Sequence, residues 1–133
     1  MLFSKFDKII IMKQLLLILL LSLFLFSCKK NQVGGSITVK GLVSHHGVAI
    51  PNAYVYIKYN TLEFPGDDVS IYNSNVQADA NGNYSIPFYK GSYYLYAKGL
   101  DYTIPAPYIV KGGLSLSITS NGNLTKDIAV SEL

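Results

Sequence analysis

Residues 53–59 read Ala53-Tyr54-Val55-Tyr56-Ile57-Lys58-Tyr59, and residues 93–98 read Tyr93-Tyr94-Leu95-Tyr96-Ala97-Lys98. In the first run Ala53, Val55 and Ile57 fall on one side of an extended chain, with Tyr54, Tyr56 and Lys58 on the other. In the second, Tyr93, Leu95 and Ala97 oppose Tyr94, Tyr96 and Lys98. A period of two is the signature of a strand with one face in a core and one facing water. Both runs are rich in tyrosine, and the first also carries β-branched Val55 and Ile57, residue types that fit a pleated, half-buried surface.

Working outward, the rest of the chain after residue 35 repeats this grammar, and no stretch there keeps a helical period. Ile37 opens a first strand running to about Ser44, and a turn follows from Gly47 to Pro51. Beyond the 53–59 strand, Glu63-Phe64-Pro65-Gly66-Asp67-Asp68 reads as a solvated loop, because Pro-Gly punctuates a turn. A strand near Val69 to Ala78 is expected to enter a hairpin at Asp79-Ala80-Asn81-Gly82-Asn83, where Asn and Gly tolerate positive φ. Tyr84 to Phe88 returns, and Lys90-Gly91 leads into the 93–98 strand. Pro105 and Pro107 bracket an irregular stretch, and a last hairpin is expected from Leu114–Thr119 through Ser120-Asn121-Gly122 to Asn123–Ser131. Short strands with regular turn signals predict an all-β fold: a single antiparallel β-sandwich of about seven strands, occupying residues 36–133.

The N-terminus has a different composition. Leu15 to Phe26 is LLLILLLSLFLF, preceded by Lys13 and followed by Ser27 and Cys28. As a helix these twelve residues extend about 18 Å, short of the ~20 residues that cross a bilayer. A positive flank, a short apolar run and a small residue before a cleavage point describe a secretory signal peptide over residues 1–27. Met12-Lys13-Gln14 would also serve as its start. From Cys28 onward there are eight lysines, seven carboxylates and no arginine, a net charge of +1. That balance excludes the basic, Arg-rich stripe of a nucleic-acid binder. Cys28 is the only cysteine, so no disulfide staples the domain. Residues 28–35, with Lys29, Lys30, Gly34 and Gly35, read as a flexible tether.

Two resemblances add to this. Leu25-Phe26-Ser27-Cys28 resembles the lipobox of bacterial lipoproteins, which implies a diacylglyceryl group on the Cys28 thiol, cleavage before it and acylation of the new amine. Two or more such chains, palmitate for example, hold a protein on a membrane where one does not. By the same resemblance, the lack of an acidic residue just after Cys28 implies sorting to the outer membrane, facing either side. Second, four segments in order resemble the carboxypeptidase regulatory-like domain, a transthyretin-like (prealbumin-type) Greek-key β-sandwich. They are Val39-Lys40-Gly41-Leu42-Val43; Gly47 to Val55, with Ile50, Ala53 and Val55 at pattern positions; Ala78 to Ile86, with Asp79, Gly82 and Tyr84; and Gly91-Ser92-Tyr93-Tyr94-Leu95-Tyr96-Ala97. Asp101-Tyr102 stands where a Gly-Tyr often follows. The resemblance implies an accessory domain without zinc ligands. The chain also lacks the Tyr-Arg-Gly-Ser ending of transthyretin-like hydrolases, having no arginine.

The residues themselves offer few sites. Asp79, Asn81 and Asn83 alternate like a calcium loop, but Gly82 is fourth and Lys90 twelfth, against the Gly at six and Glu at twelve of an EF-hand. With Gly47, the positions Asp79, Asn81 and Gly82 therefore read as structural turn residues. His45-His46 is the only histidine pair, and adjacent residues at a strand end are expected to point opposite ways, so no metal site is assigned. No Gly-x-Ser-x-Gly elbow accompanies them, so no catalytic residue and no cofactor is assigned either. A small hydrolase using His45 or His46 is the enzymatic alternative, and a Lys40–Asn123 isopeptide bond a minor one. The strongest binding candidate is a lysine-flanked aromatic sheet face of Tyr54, Tyr56, Lys58, Tyr94, Tyr96 and Lys98, which exists if the two quoted strands are neighbours. The expected function is a non-enzymatic, membrane-anchored envelope lipoprotein acting as a structural or binding module. Its partners are the membrane, through lipidated Cys28, and an envelope protein or a glycan; a glycan- or peptide-capturing accessory of an outer-membrane uptake system is the specific alternative.

Overall fold

The computed structural model of the chain describes residues 4–23 and 30–132; Cys28 and the end of the apolar leader lie outside the described residues. Helix α1, Lys5–Leu23, is exposed wherever its side chains are described, and no helix among the described residues is long and apolar enough to cross a membrane.

The remainder is a two-sheet β-sandwich of ten strands, five of them longer than five residues. The first sheet is organised around β1 (Val33–His45), which pairs antiparallel with β2 (Val48–Ala49) and β5 (Asn83–Phe88), and parallel with β8 (Leu124–Thr125) and β9 (Ile128–Ala129). The second runs β10 (Ser131–Glu132), β7 (Ile109–Ile118), β6 (Gly91–Leu100), β3 (Tyr54–Tyr59) and β4 (Ser74–Gln77), all antiparallel. Val39 and Val43 from β1 and Phe88 from β5 meet Val55, Leu95 and Leu116 of the opposite sheet, all buried. Tyr84 and Tyr93 lie buried as well, with their hydroxyls led to backbone carbonyls. Tyr84 donates to Lys126 O, and Tyr93 lies within hydrogen-bond reach of Gln32 O (3.0 Å) and Tyr89 O (2.6 Å). Such termination is what lets a phenol enter a core.

Four expectations are corrected. The stretch 28–35 is not free tether to its end: Val33–Gly35 belong to β1, Asn31 N–H donates to Lys90 O (3.0 Å), and the Asn31 side chain accepts from Ser92 N–H (2.8 Å). The strand expected over 69–78 is a short 3-10 turn at Val69–Ile71 followed by β4, because Asp68 caps the Ser70 N–H and bends the chain. The Asp79–Asn83 turn is no hairpin: β4 and β5 lie in different sheets, so it carries the chain across the sandwich. The last hairpin also fails to form. After β7 the chain crosses to the first sheet and lies along β1, Lys126 N–H donating to Lys40 O (2.8 Å) and Val130 N–H to Ser44 O (2.9 Å). Local turn chemistry reports that the chain reverses, and cannot report which sheet receives it.

This C-terminal segment depends on Gly41, where a Cβ would meet the Lys126 carbonyl oxygen at 1.9 Å. The clash is with backbone, which cannot swing aside. Gly41→Val is therefore expected to dislodge residues 124–130 from β1 and to cost at least about 1–3 kcal/mol, the range for overpacking. Urea unfolding with amide exchange at Lys126 and Val130 measures it; unchanged stability and protection would show that the close approach is not needed.

Candidate functional site

Strands β3 and β6 are neighbours, in the register Tyr54↔Lys98, Tyr56↔Tyr96 and Lys58↔Tyr94. With Val55, Ile57, Leu95 and Ala97 fully buried, alternation sends all six residues of the expected aromatic face to the outer surface of the second sheet. Tyr54 and Tyr56 stack along the strand, with ring centroids 6.1 Å apart and planes 27° from parallel.

The face is not uniformly open. Residues 60–73 fold back across it. Phe64 sits 5.6 Å from the Tyr94 ring and 5.5 Å from that of Tyr96, and Tyr72 stacks on Tyr96 at 5.6 Å and 19°. Tyr96 is thereby only 2% exposed, which corrects its assignment to an accessible surface. Lys58 Nζ is likewise turned into the segment, donating to Ile71 O at 2.5 Å. The loop expected to be merely solvated is tied down by Asp67, which accepts from the Tyr96 hydroxyl (2.8 Å) and from Lys111 Nζ (2.7 Å). These bonds, Lys111 first, hold the Asp67 carboxyl below its usual value, while burial pushes the Tyr72 hydroxyl up to about 12. Alternation gives a face; it is silent about what a distant loop lays over it.

What stays open is the end carrying Tyr54, Tyr56 and Lys98. There a cleft of about 500 Å³ is lined by these three with Asn52, Leu100 and Tyr102. Tyr102 is 74% exposed and leans on Tyr108, at 5.3 Å between centroids. The cleft joins broad aromatic and aliphatic walls to a few polar ends, the composition of a small-ligand site. Tyr102 escaped the sequence reading because it lies in the turn after β6, where no alternation operates.

The turn residues are placed as follows. His46 and Gly47, with φ of +49° and +79°, form the two-residue turn between β1 and β2, the positive-φ pair of a type I′ hairpin. The Asp79 carboxylate accepts from Asn81 N–H (2.8 Å) and Asn83 N–H (2.9 Å), and Gly82 takes φ +76°. Asp79 Oδ1 is thus spent on its own turn. Lys40 and Asn123 are both exposed, and the Asn123 side chain accepts from Thr38 N–H (3.2 Å).

The histidines depart most from expectation. His45 is 3% exposed, and its Nδ1 lies 2.7 Å from Asp101 Oδ2. Asp101 Oδ1 accepts from the backbone and hydroxyl of Thr103, at 2.9 and 2.6 Å. Thr103 and then His45 hold the Asp101 carboxyl down at about 2. Because His46 adopts a left-handed turn conformation, the two rings do not diverge but lie 4.1 Å apart. His45 Nε2 has no hydrogen-bond partner, so among the described residues no serine or threonine hydroxyl completes a nucleophilic triad.

No family model and no curated protein matches the sequence. Among solved structures, one from Pseudomonas aeruginosa, described as a "putative carbohydrate binding protein", aligns at 12% identity and a TM-score of 0.50, over 74% of this chain and 91% of that one. A DUF3823 family protein from Parabacteroides merdae aligns at 12% identity and a TM-score of 0.45, over 74% of this chain; the chain spans about half (47%) of that protein's length. The Pseudomonas likeness is one of fold.

Two behaviours should separate the covered from the open part of the face. Tyr96→Ala is expected to cost about 3–5 kcal/mol, as for other large buried side chains, whereas Tyr54→Ser should change stability by less than about 1 kcal/mol. Equal losses in chemical unfolding would contradict the covering role of residues 60–73. Asp67 adds a pH signature. Its carboxyl is held below 3.8 when folded, so its contribution is present above that value and fades as pH falls through the lower folded value. Amide exchange in residues 62–72 should accelerate there, and Asp67→Asn should reduce that acceleration to the part contributed by the Asp68 cap on Ser70.

Proposed function

We propose that this protein is a non-enzymatic envelope lipoprotein, held at the outer membrane by acylated Cys28, whose sandwich captures a glycan in the cleft beside Tyr54 and Tyr56. The carrying observation is that cleft, whose lining combines the rings of Tyr54, Tyr56 and Tyr102 with the polar ends of Lys98 and Asn52. Sugar rings present apolar C–H faces edged by hydroxyls, and a tyrosine wall with a few polar ends complements both. The tyrosines are already ordered by stacking and strand pairing, so little rotamer entropy is lost on binding. The description of the Pseudomonas protein as a carbohydrate binder runs in the same direction.

We further propose that the domain is of the carboxypeptidase regulatory-like type. Its four quoted segments correspond to β1, the β2–β3 step, the crossing turn into β5, and β6. On this reading the signal peptide ends at residue 27. Because Asn31 is already fastened to Lys90 and Ser92, only Lys29 and Lys30 separate the anchor from the folded domain. The sandwich then stands close to the membrane by the end of β5 and the start of β6. A peptide partner is the second reading, and the same cleft would receive it.

Screening the Cys28→Ala protein on immobilised glycans tests the first claim. Tyr54→Ser with Tyr56→Ser should lower retention about tenfold or more, equivalent to about 1.4 kcal/mol, while the domain still unfolds cooperatively at a somewhat lower denaturant midpoint, because Tyr56 also packs on Tyr72 and Tyr96. Retention unchanged in that variant, or no glycan retained by the parent, would overturn the glycan reading. The anchor is tested separately: Cys28→Ala should abolish incorporation of labelled palmitate and leave the membrane fraction, and continued labelling would refute it.

A further inference from the structure

His45 and Asp101 are the two buried polar or charged side chains among the described residues. His45 is 3% exposed at the end of β1, its Nδ1 is engaged by Asp101 at 2.7 Å, and its buried Nε2 faces no protein donor or acceptor. A neutral imidazole whose Nδ1 donates to a carboxylate keeps a lone pair on Nε2. A buried lone pair without a partner costs free energy comparable to a lost hydrogen bond. Around it stand His46, turned to the same side by its positive φ, and Glu132 on β10. A ring nitrogen from each histidine and a carboxylate oxygen of Glu132 lie within 4.8 Å of one another. With Nδ1 of His45 taken, Nε2 is the nitrogen left for that cluster.

We propose that His45 Nε2, His46 and Glu132 bind a divalent transition-metal ion of the zinc class, with Asp101 as the outer carboxylate that orients His45. Two imidazoles and one carboxylate are a characteristic zinc donor set, leaving a fourth position for water. A carboxylate on the far nitrogen of a ligating histidine is the usual outer partner: it fixes the tautomer and raises the basicity of the ligand. His46 and Glu132 are exposed, so an ion reaches the site from solvent while His45 forms its buried wall. Hard cations such as Ca²⁺ and Mg²⁺ prefer all-oxygen shells and fit these donors poorly.

The position assigns the ion a role. His45 and His46 belong to β1 and its turn in the first sheet, and Glu132 to the edge strand β10 of the second, which is paired with β7 through two residues only. The ion clasps the two sheets at one end and pins β10. It stands on different residues from the glycan cleft, so either proposal survives failure of the other.

The test uses the full chain in detergent with Cys28→Ala, so that no thiol competes for metal. Titration with Zn²⁺ should show one equivalent bound and a raised melting temperature that a chelator reverses. Co²⁺ substitution should give the visible absorption of a four-coordinate site. His46→Asn and Glu132→Gln, both at exposed positions, should each weaken binding about tenfold or more, and Asp101→Asn about 10–100-fold. Imidazole nitrogen NMR should show Zn²⁺ shifting Nε2 of His45 rather than Nδ1. Absence of a stoichiometric site in the folded protein overturns the proposal. So does Zn²⁺ affinity unchanged in both His46→Asn and Glu132→Gln, or a Zn²⁺-induced shift at Nδ1 of His45. Affinity unchanged in Asp101→Asn removes Asp101 from the site.

Discussion

The in-register pairing of β3 with β6 is the constraint on which the rest of this structure turns. Val55 opposite Ala97 and Ile57 opposite Leu95 put four fully buried side chains at the centre of the sandwich. The same register necessarily sends Tyr54, Tyr56 and Lys58 outward beside Lys98, Tyr96 and Tyr94. A slip of one residue in either strand would exchange that strand's faces, exposing its aliphatic pair and burying its lysine. Core and aromatic surface are therefore two consequences of one alignment.

Chain crossings supply the second level of organisation. The backbone changes sheet after β2, β4, β5, β7 and β9. Each sheet is thus stitched from segments distant in sequence, and β1 alone collects partners from residues 48 to 129. The returning C-terminal segment brings β10, and with it Glu132, to the end of the sandwich where His45 stands. Asp101 arrives there from the loop after β6. The His45–Asp101 pair spans 56 residues of sequence, and the metal cluster proposed around it spans 87, from His45 to Glu132.

The two candidate sites illustrate different routes from fold to chemistry. The cleft at Tyr54 and Tyr56 exists because strand alternation exposes aromatic rings and the 60–73 segment covers only part of them. Its ordered surface costs the protein little, since tyrosine suits outward strand positions in any case. The histidine cluster is costlier. A buried imidazole with one nitrogen unsatisfied is tolerated only where the surroundings hold it, as Asp101 and Thr103 do.

How far the sequence alone reached follows from the range of the forces involved. Alternation in 53–59 and 93–98, and Gly or Asn at residues that require positive φ, are local. They determined the strands around 53–59, 84–88 and 93–98, the positions of most turns, and which side of each of those strands carries its tyrosines and lysine; the pairing of β3 with β6 joined two such sides into one face. The composition of residues 15–28 likewise speaks without any fold. Tertiary structure decided which strands share a sheet, because Asp79–Asn83 and Ser120–Gly122 show identical turn chemistry whether the chain returns to its neighbour or crosses. It decided that Tyr96 is covered, since the cover comes from Phe64, Asp67 and Tyr72, which no periodicity links to β6. It also decided the setting of His45. One backbone angle at His46 overrode the rule that neighbours diverge, and the partners Asp101 and Glu132 are brought close only by folding.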